Sequence, residues 1–403
     1  MVDRGFDPSE RVRELRSGRE THRLRPSDRI AERVYRAQPS GESLPVLDGT
    51  ETLVFGSENY LGLAHDRRIQ EAATRAARTV GTGACSSRVR FGDTLLHHDL
   101  ERTLAEVSET ERALSLPDRS DAYRLLIAGL QPDAVFVDDL SARFAEGIAQ
   151  RVGSTLLRYD QTEISTLEAK FQAREALDAD GCESWLAVVP AVCPIRGEAC
   201  SPREFVSLAS EYGAWTAVDE THAIGLYADG GGIVQAENCP SDVDVQLGSL
   251  STALASQGGY VAASTDVIET IVNTSDFERL CAISPPSAAA ASEALHVARH
   301  GSCRAQLWDN VTHLREGLRS IGYGVSGDSQ ILSVPVEGRG EPGRLVRALS
   351  DSNVLVRVAG PPDRSQPADR LLVTPLASHG SDDIVECLTA FASARESTDP
   401  TIR

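Results

Sequence analysis

Two stretches of this chain carry residues whose types and spacing could do chemistry. In the first, Asp219 closes the apolar run AWTAVD, and His222 follows three residues later. A carboxylate that ends a strand of an open α/β sheet stands at the edge where such folds bind ligands. The plainer reading is that it caps the turn that follows. His222 taken alone reads as a satisfied core or turn histidine. The second stretch, GSLSTALASQGG, carries Ser249, Ser251 and Thr252 and no amine. Imine formation and amine-mediated proton transfer need a lysine. The chain has one, Lys170, in the helical pattern TLEAKFQAREAL, on what reads as a solvated helix face. The eight cysteines form no C-x-x-C and lie beside no paired histidines, so no metal framework is read from them. The nearest pair, Cys193 and Cys200, flanks Pro194 and Gly197 in a loop. In a chain without an export signal these cysteines are expected to be reduced, small apolar fillers.

The elements that must position these residues alternate along the chain. AVFVDDL (134–140), SWLAVVPAV (184–192), AWTAVDET (214–221) and DVQLGSLS (244–251) read as strands. ARFAEGIAQRVG, STLEAKFQAREALD and SPREFVSLASEYG read as helices between them, the last opening on Ser201-Pro202, a cap followed by proline at the first helical position. This alternation predicts an α/β fold built on a mainly parallel sheet. After GGYVAAS the pattern changes to a long helical stretch over 285–321, then to ILSVPV, NVLVRV, LLVTPL and a closing helix near 382–396. The expected division is an arm over 1–45, a large domain over 46–285 and a smaller C-terminal α/β domain over 286–403.

Four blocks in order and spacing carry a resemblance that covers about residues 10–396: SENYLGLAHD, GTGACSSRVRFGDTLLHHDLE, WTAVDETHAIGLYADGGG and GSLSTALASQGGYVAAS. The chain resembles the α-oxoamine synthases, pyridoxal-phosphate (PLP) enzymes of fold type I that condense an amino acid with an acyl-thioester. The resemblance implies a large domain with a seven-stranded, mostly parallel sheet, a small C-terminal domain and active sites at a dimer interface. It also implies that Asp219 pairs with the pyridine nitrogen, that His222 contacts the ring hydroxyl, and that Ser249 belongs to the cofactor site.

Against the family's T-L-S-K-A-L-G-S-Q-G-G, this chain reads Ser249-Leu250-Ser251-Thr252-Ala253-Leu254-Ala255-Ser256-Gln257-Gly258-Gly259, so Thr252 holds the lysine position. A hydroxyl cannot form an imine. The phosphate-cradling turn corresponds to Pro117-Asp118-Arg119-Ser120-Asp121-Ala122-Tyr123, where two aspartates would repel a phosphate and Arg119 would partly offset them. The ring-stacking histidine falls within Asp139-Leu140-Ser141-Ala142-Arg143. Pro190-Ala191, Ala282 and the Ala359-Gly360 pair stand at other functional positions. These losses, beside a scaffold that still matches, predict a non-catalytic relative with vestigial cofactor residues. It would act as a homodimer, or as the partner or regulatory subunit of a lysine-bearing paralogue. The alternative is a PLP-dependent acyl-CoA:amino-acid C-acyltransferase of the 8-amino-7-oxononanoate synthase kind with an atypical site.

Bulk composition narrows the partners. Net charge is -19, from 59 acidic and 40 basic residues, and all of the basic ones but Lys170 are arginine. Such an acidic excess argues against nucleic acid and anionic membranes. It reads as a solubilising, salt-adapted shell. No apolar run is long enough for a bilayer span. The charged start MVDRGFDPSERVRELRSGRE has no signal-type apolar stretch, which leaves the cytoplasm as the expected location.

Overall fold

A computed structural model describes residues 52–178, 180–336, 341–359 and 370–398. The arm expected over 1–45 lies outside the described residues. Residues Val54–Arg403 form one compact unit.

Seven strands make its central sheet: β1 (Arg112–Leu116), β2 (Ala134–Asp138), β3 (Thr155–Tyr159), β4 (Trp185–Pro190), β5 (Trp215–Asp219), β6 (Val245–Ser249) and β7 (Gly259–Ala263). Their order is β1-β7-β6-β5-β4-β2-β3. Strands β2 to β6 pair in parallel, and β7 runs antiparallel to both of its neighbours, β6 and β1. The sequence-based expectation of a seven-stranded, mostly parallel sheet is met. Strands β2, β4, β6 and β7 are buried along their whole length, as suits a sheet covered by helices on both faces. Val135, Val137, Leu186, Val188, Val245 and Leu247 share one core with Leu125 and Leu126 from helix α1 (Arg119–Leu130) and with Ile268 and Ile271 from α2 (Thr265–Val272).

Register decides what stands at the sheet's carboxyl edge. Asp219, the last residue of β5, pairs with Pro190 on one side and Leu247 on the other. Helix α1 begins close by because β7 starts on a glycine. A Cβ on Gly259 would lie 2.5 Å from the Asp118 carbonyl oxygen and 2.7 Å from the Arg119 nitrogen, so only glycine lets the start of α1 approach.

C-terminal to this sheet, the helical stretch read over 285–321 is two helices, Pro285–His300 and Cys303–Ser320. A second, antiparallel sheet follows, with β8 (Leu332–Pro335), β9 (Arg357–Ala359) and β10 (Arg370–Val373) in the order β9-β10-β8. The helix Ser381–Thr398 closes the fold. Among the described residues no helix is long and apolar enough to cross a membrane.

Candidate functional site

Asp219 is 2% exposed, so its charge must be met from within the fold. Thr221 meets one oxygen: its backbone N–H and its hydroxyl both donate to Oδ1, at 3.0 and 2.5 Å. Helix α1 meets the other. The Tyr123 hydroxyl donates to Oδ2 at 2.8 Å, and a guanidinium nitrogen of Arg119 stands 3.6 Å from the same atom. Arg119 and Tyr123 are four residues apart, hence on one face of the helix, and reach the carboxylate together. Burial works against the Arg119 charge, but Asp219, Tyr123 and Glu58 outweigh it and hold its pKa above the ordinary value.

The Arg119 guanidinium also stands over an aromatic ring. Its central carbon is 4.2 Å from the centre of the Phe144 ring, and the Arg143 guanidinium is 4.7 Å from the same centre. The Phe144 ring packs in turn on that of Tyr123, with centres 5.4 Å apart.

The helix start that would cradle a phosphate is capped by the chain's own anion. Asp118 accepts from the Ser120 N–H at 2.7 Å and from the Ser120 hydroxyl at 2.6 Å. Asp121 occupies the first turn, ion-paired with Arg124. A carboxylate at a helix N-terminus takes the donors and the positive dipole end that would otherwise serve a ligand. Arg119, expected to offset the two aspartates in part, does feel the Asp118 charge, but its ion-pair partner is Asp219 at 3.6 Å.

Thr252 is 2% exposed, and its hydroxyl donates to the Thr221 carbonyl at 2.7 Å. The lysine position is therefore filled by a short side chain bonded to the turn that holds Asp219. Ser249 and Ser251 join hydroxyls at 2.7 Å, and the Ser251 N–H donates to the Ser249 oxygen at 3.1 Å. Lys170 is exposed on the helix Ile164–Glu175, as the sequence pattern suggested.

His222 faces Tyr60, with Nδ1 2.9 Å from the phenol oxygen, and its carbonyl accepts from the Gln330 side-chain amide at 2.8 Å. Burial lowers the imidazole pKa to about 4 despite the nearby Glu58 carboxylate, and Arg119 adds to the lowering. Glu58 pairs with Arg357 of β9, which also donates to the Pro194 carbonyl at 3.3 Å. Burial works to raise the Glu58 pKa, but His222 and Arg357 outweigh it and lower it. Asp138, at the end of β2, has its pKa pushed up to about 6 by burial, although the Leu140 N–H donates to it at 2.9 Å.

The structure thus brings Asp219, His222 and Thr252 to one edge of the sheet, with the Ser249–Ser251 pair at the end of β6. Glu58, Tyr60, Thr221, Gln330 and Arg357 belong to the same cluster and were not singled out from the sequence, and Tyr123 was read only as the end of the phosphate-cradling turn. Glu58 and Tyr60 lie within the SENYLGLAHD block, which was the available signal. Arg357 and Gln330 are far along the chain and had none.

The fit to PLP can be judged from these contacts. The cofactor needs a lysine amine for its covalent attachment, and to be held it needs an anion cradle and a carboxylate free to meet a protonated ring nitrogen. The position for the amine is Thr252, the cradle is capped by Asp118, and the carboxylate is matched by Arg119, Tyr123 and Thr221. The residues present do not fit PLP.

Comparison with known proteins gives the scaffold its family. The chain is 31% identical to the 8-amino-7-oxononanoate synthase of Geobacter metallireducens over 90% of its own length and 93% of the relative's. It is 30% identical to that of Geotalea daltonii, over 86% and 89% of the two lengths. A lysine-to-alanine variant of a serine palmitoyltransferase from S. paucimobilis, solved with bound PLP-myriocin aldimine, shares the fold at a TM-score of 0.79 and 22% identity, with 86% of this chain and 88% of that one covered. The family model for aminotransferase class I and II matches residues 50–391, and with the sheet order above it follows that this chain belongs to the aminotransferase class I and II family.

Proposed function

We propose that this α-oxoamine-synthase-like chain is non-catalytic and serves as a partner or regulatory subunit of a lysine-bearing paralogue. The observation that carries this reading is Thr252, buried and hydrogen-bonded at the position where the family's amine would stand. Asp219, His222 and Ser249 are then retained members of a former cofactor site. They hold turns and charges together and do not contact a ligand. An exposed apolar set, Val80, Val89, Phe91 and Leu95, runs through and just ahead of the GTGACSSRVRFGDTLLHHDLE block. Apolar side chains so exposed on one subunit suit burial against a second, and this favours a homodimer or a heterodimer with the paralogue. On this reading residues 286–403 form the smaller domain, the chain works in the cytoplasm, and its acidic surface is an adaptation to salt.

A second reading has specific support. The relatives at 30 and 31% identity are named 8-amino-7-oxononanoate synthase, which favours a working PLP-dependent C-acyltransferase with an atypical site. One experiment separates the two. The purified chain is titrated with PLP, its absorption is followed, and any adduct is fixed with borohydride and located by peptide mass. The non-catalytic reading expects no saturable cofactor band and no adduct beyond background at the terminal amine and Lys170. A saturable band that shifts when an amino acid is added would overturn it in favour of lysine-free catalysis.

A further inference from the structure

We propose that Arg119 is a built-in counter-ion that stands in for the cofactor's protonated ring, so that the site is closed by the chain's own side chains as well as by the missing lysine. The inference deepens the non-catalytic reading and rests on it. A nearly inaccessible carboxylate needs a cation or several donors. Asp219 has three donors from Tyr123 and Thr221, and the Arg119 guanidinium at 3.6 Å. Guanidinium is flat, delocalised and permanently charged, and it stacks well on aromatic faces. Here it lies 4.2 Å from the centre of the Phe144 ring, beside the carboxylate. A protonated pyridine would ask for the same two partners, a carboxylate at its edge and a flat group on its face. Arg119 already takes both.

Two further contacts complete the closure. Asp118 ties the first turn of α1 to itself through Ser120. The Glu58 carboxylate, whose charge also favours the Arg119 cation, is held in turn by Arg357. Asp219 and Glu58 thus each have an arginine beside them, Arg119 and Arg357. A cationic ring brought to Asp219 would meet Arg119 as a like charge, and a phosphate brought to the start of α1 would meet Asp118. Restoring the lysine alone therefore leaves two repulsive contacts in place.

The test uses the full chain and two readouts. In the first, PLP is titrated into wild type, Thr252→Lys and the triple variant Thr252→Lys/Arg119→Gly/Asp118→Gly, followed by borohydride and peptide mapping. Lys170 serves as the internal measure of background labelling. The proposal expects no labelling of residue 252 above that background in Thr252→Lys, and at least a tenfold rise in the triple variant. Saturable loading of Thr252→Lys alone overturns it, as does a folded triple variant that stays unlabelled at residue 252. Loading of the wild type would instead sink the non-catalytic reading, so the two failures are told apart.

The second readout is thermal unfolding without PLP. Arg119→Leu is expected to lower the midpoint by roughly 5 °C or more, because it leaves a buried carboxylate short of its cation. In an Asp219→Asn background the same substitution should cost less than half as much. Equal losses in both backgrounds overturn the pairing. If Arg119→Leu does not fold, recovery of folding in Arg119→Leu/Asp219→Asn supports the proposal and continued failure of the pair counts against it.

Discussion

At the scale of single residues, burial controls which groups carry charge. His222 is neutral in the fold, with its pKa brought down to about 4 by burial. In the unfolded chain the imidazole returns to about 6.5. The folded value is depressed, so the stability linked to His222 is fully present above pH 6.5 and is lost as pH falls toward 4. His222→Gln removes this loss along with the Tyr60 contact. Its destabilisation should therefore shrink by roughly 2 kcal/mol between pH 7 and pH 4.5, measured by denaturant unfolding at both. A penalty that does not change with pH would mean that His222 is not held neutral. Asp138, with its pKa raised to about 6, titrates in the same window in the opposite sense, which is why the comparison is made between the variant and the wild type at each pH. Asp219 and Thr252 are legible in the sequence because each sits inside a block whose neighbours fix its place. The pairing of Arg119 with Asp219 was not readable. It depends on the direction in which one helix face points, and residue types in a degenerate turn do not give that direction.

At the scale of elements, the site is held by the junction of β7 with the start of α1. Gly259 lets the two backbones approach, and what a Cβ there would meet is backbone, which cannot swing aside. Gly259→Ala should cost about 1–3 kcal/mol, typical of overpacking, and should move the Asp118–Ser120 turn. A drop in midpoint of less than a degree on thermal unfolding would contradict the close approach. The strands AVFVDDL, SWLAVVPAV, AWTAVDET and DVQLGSLS were visible as apolar runs because parallel strands in this sheet are buried on both faces. Strand β3 was not marked, and its burial explains why: it is the outer strand, with exposed Thr155 and Arg158, so its pattern is no more apolar than a loop's. The proline-led helix Pro202–Glu211 was visible through its cap, and Ser201 does accept from the Glu204 N–H, at 3.4 Å. The break between Pro285–His300 and Cys303–Ser320 was missed, since a two-residue interruption barely disturbs a helical pattern.

At the scale of the whole molecule, charge and exposed apolar surface pull on assembly in opposite directions. A net charge of -19 keeps chains apart. Phe91 at 89% and Leu95 at 81% exposure favour bringing two together. If these side chains form a subunit contact, Phe91→Asp should convert the assembled form to monomer at micromolar concentration, read as a halved mass by light scattering. An unchanged mass would remove that surface from the interface. Assembly was open to the sequence only through resemblance, because exposure of a single aromatic cannot be inferred from its place in a mixed polar run.

The lone lysine, exposed on the helix Ile164–Glu175, has a practical consequence. An amine-reactive dye has a single side-chain target, and peptide mapping separates label on Lys170 from label on the terminal amine. Where mapping finds the dye on Lys170 alone, one fluorophore per subunit at a known position turns subunit exchange into an energy-transfer signal, and mixed donor and acceptor populations would report whether the chain trades partners with its own copies or with another protein.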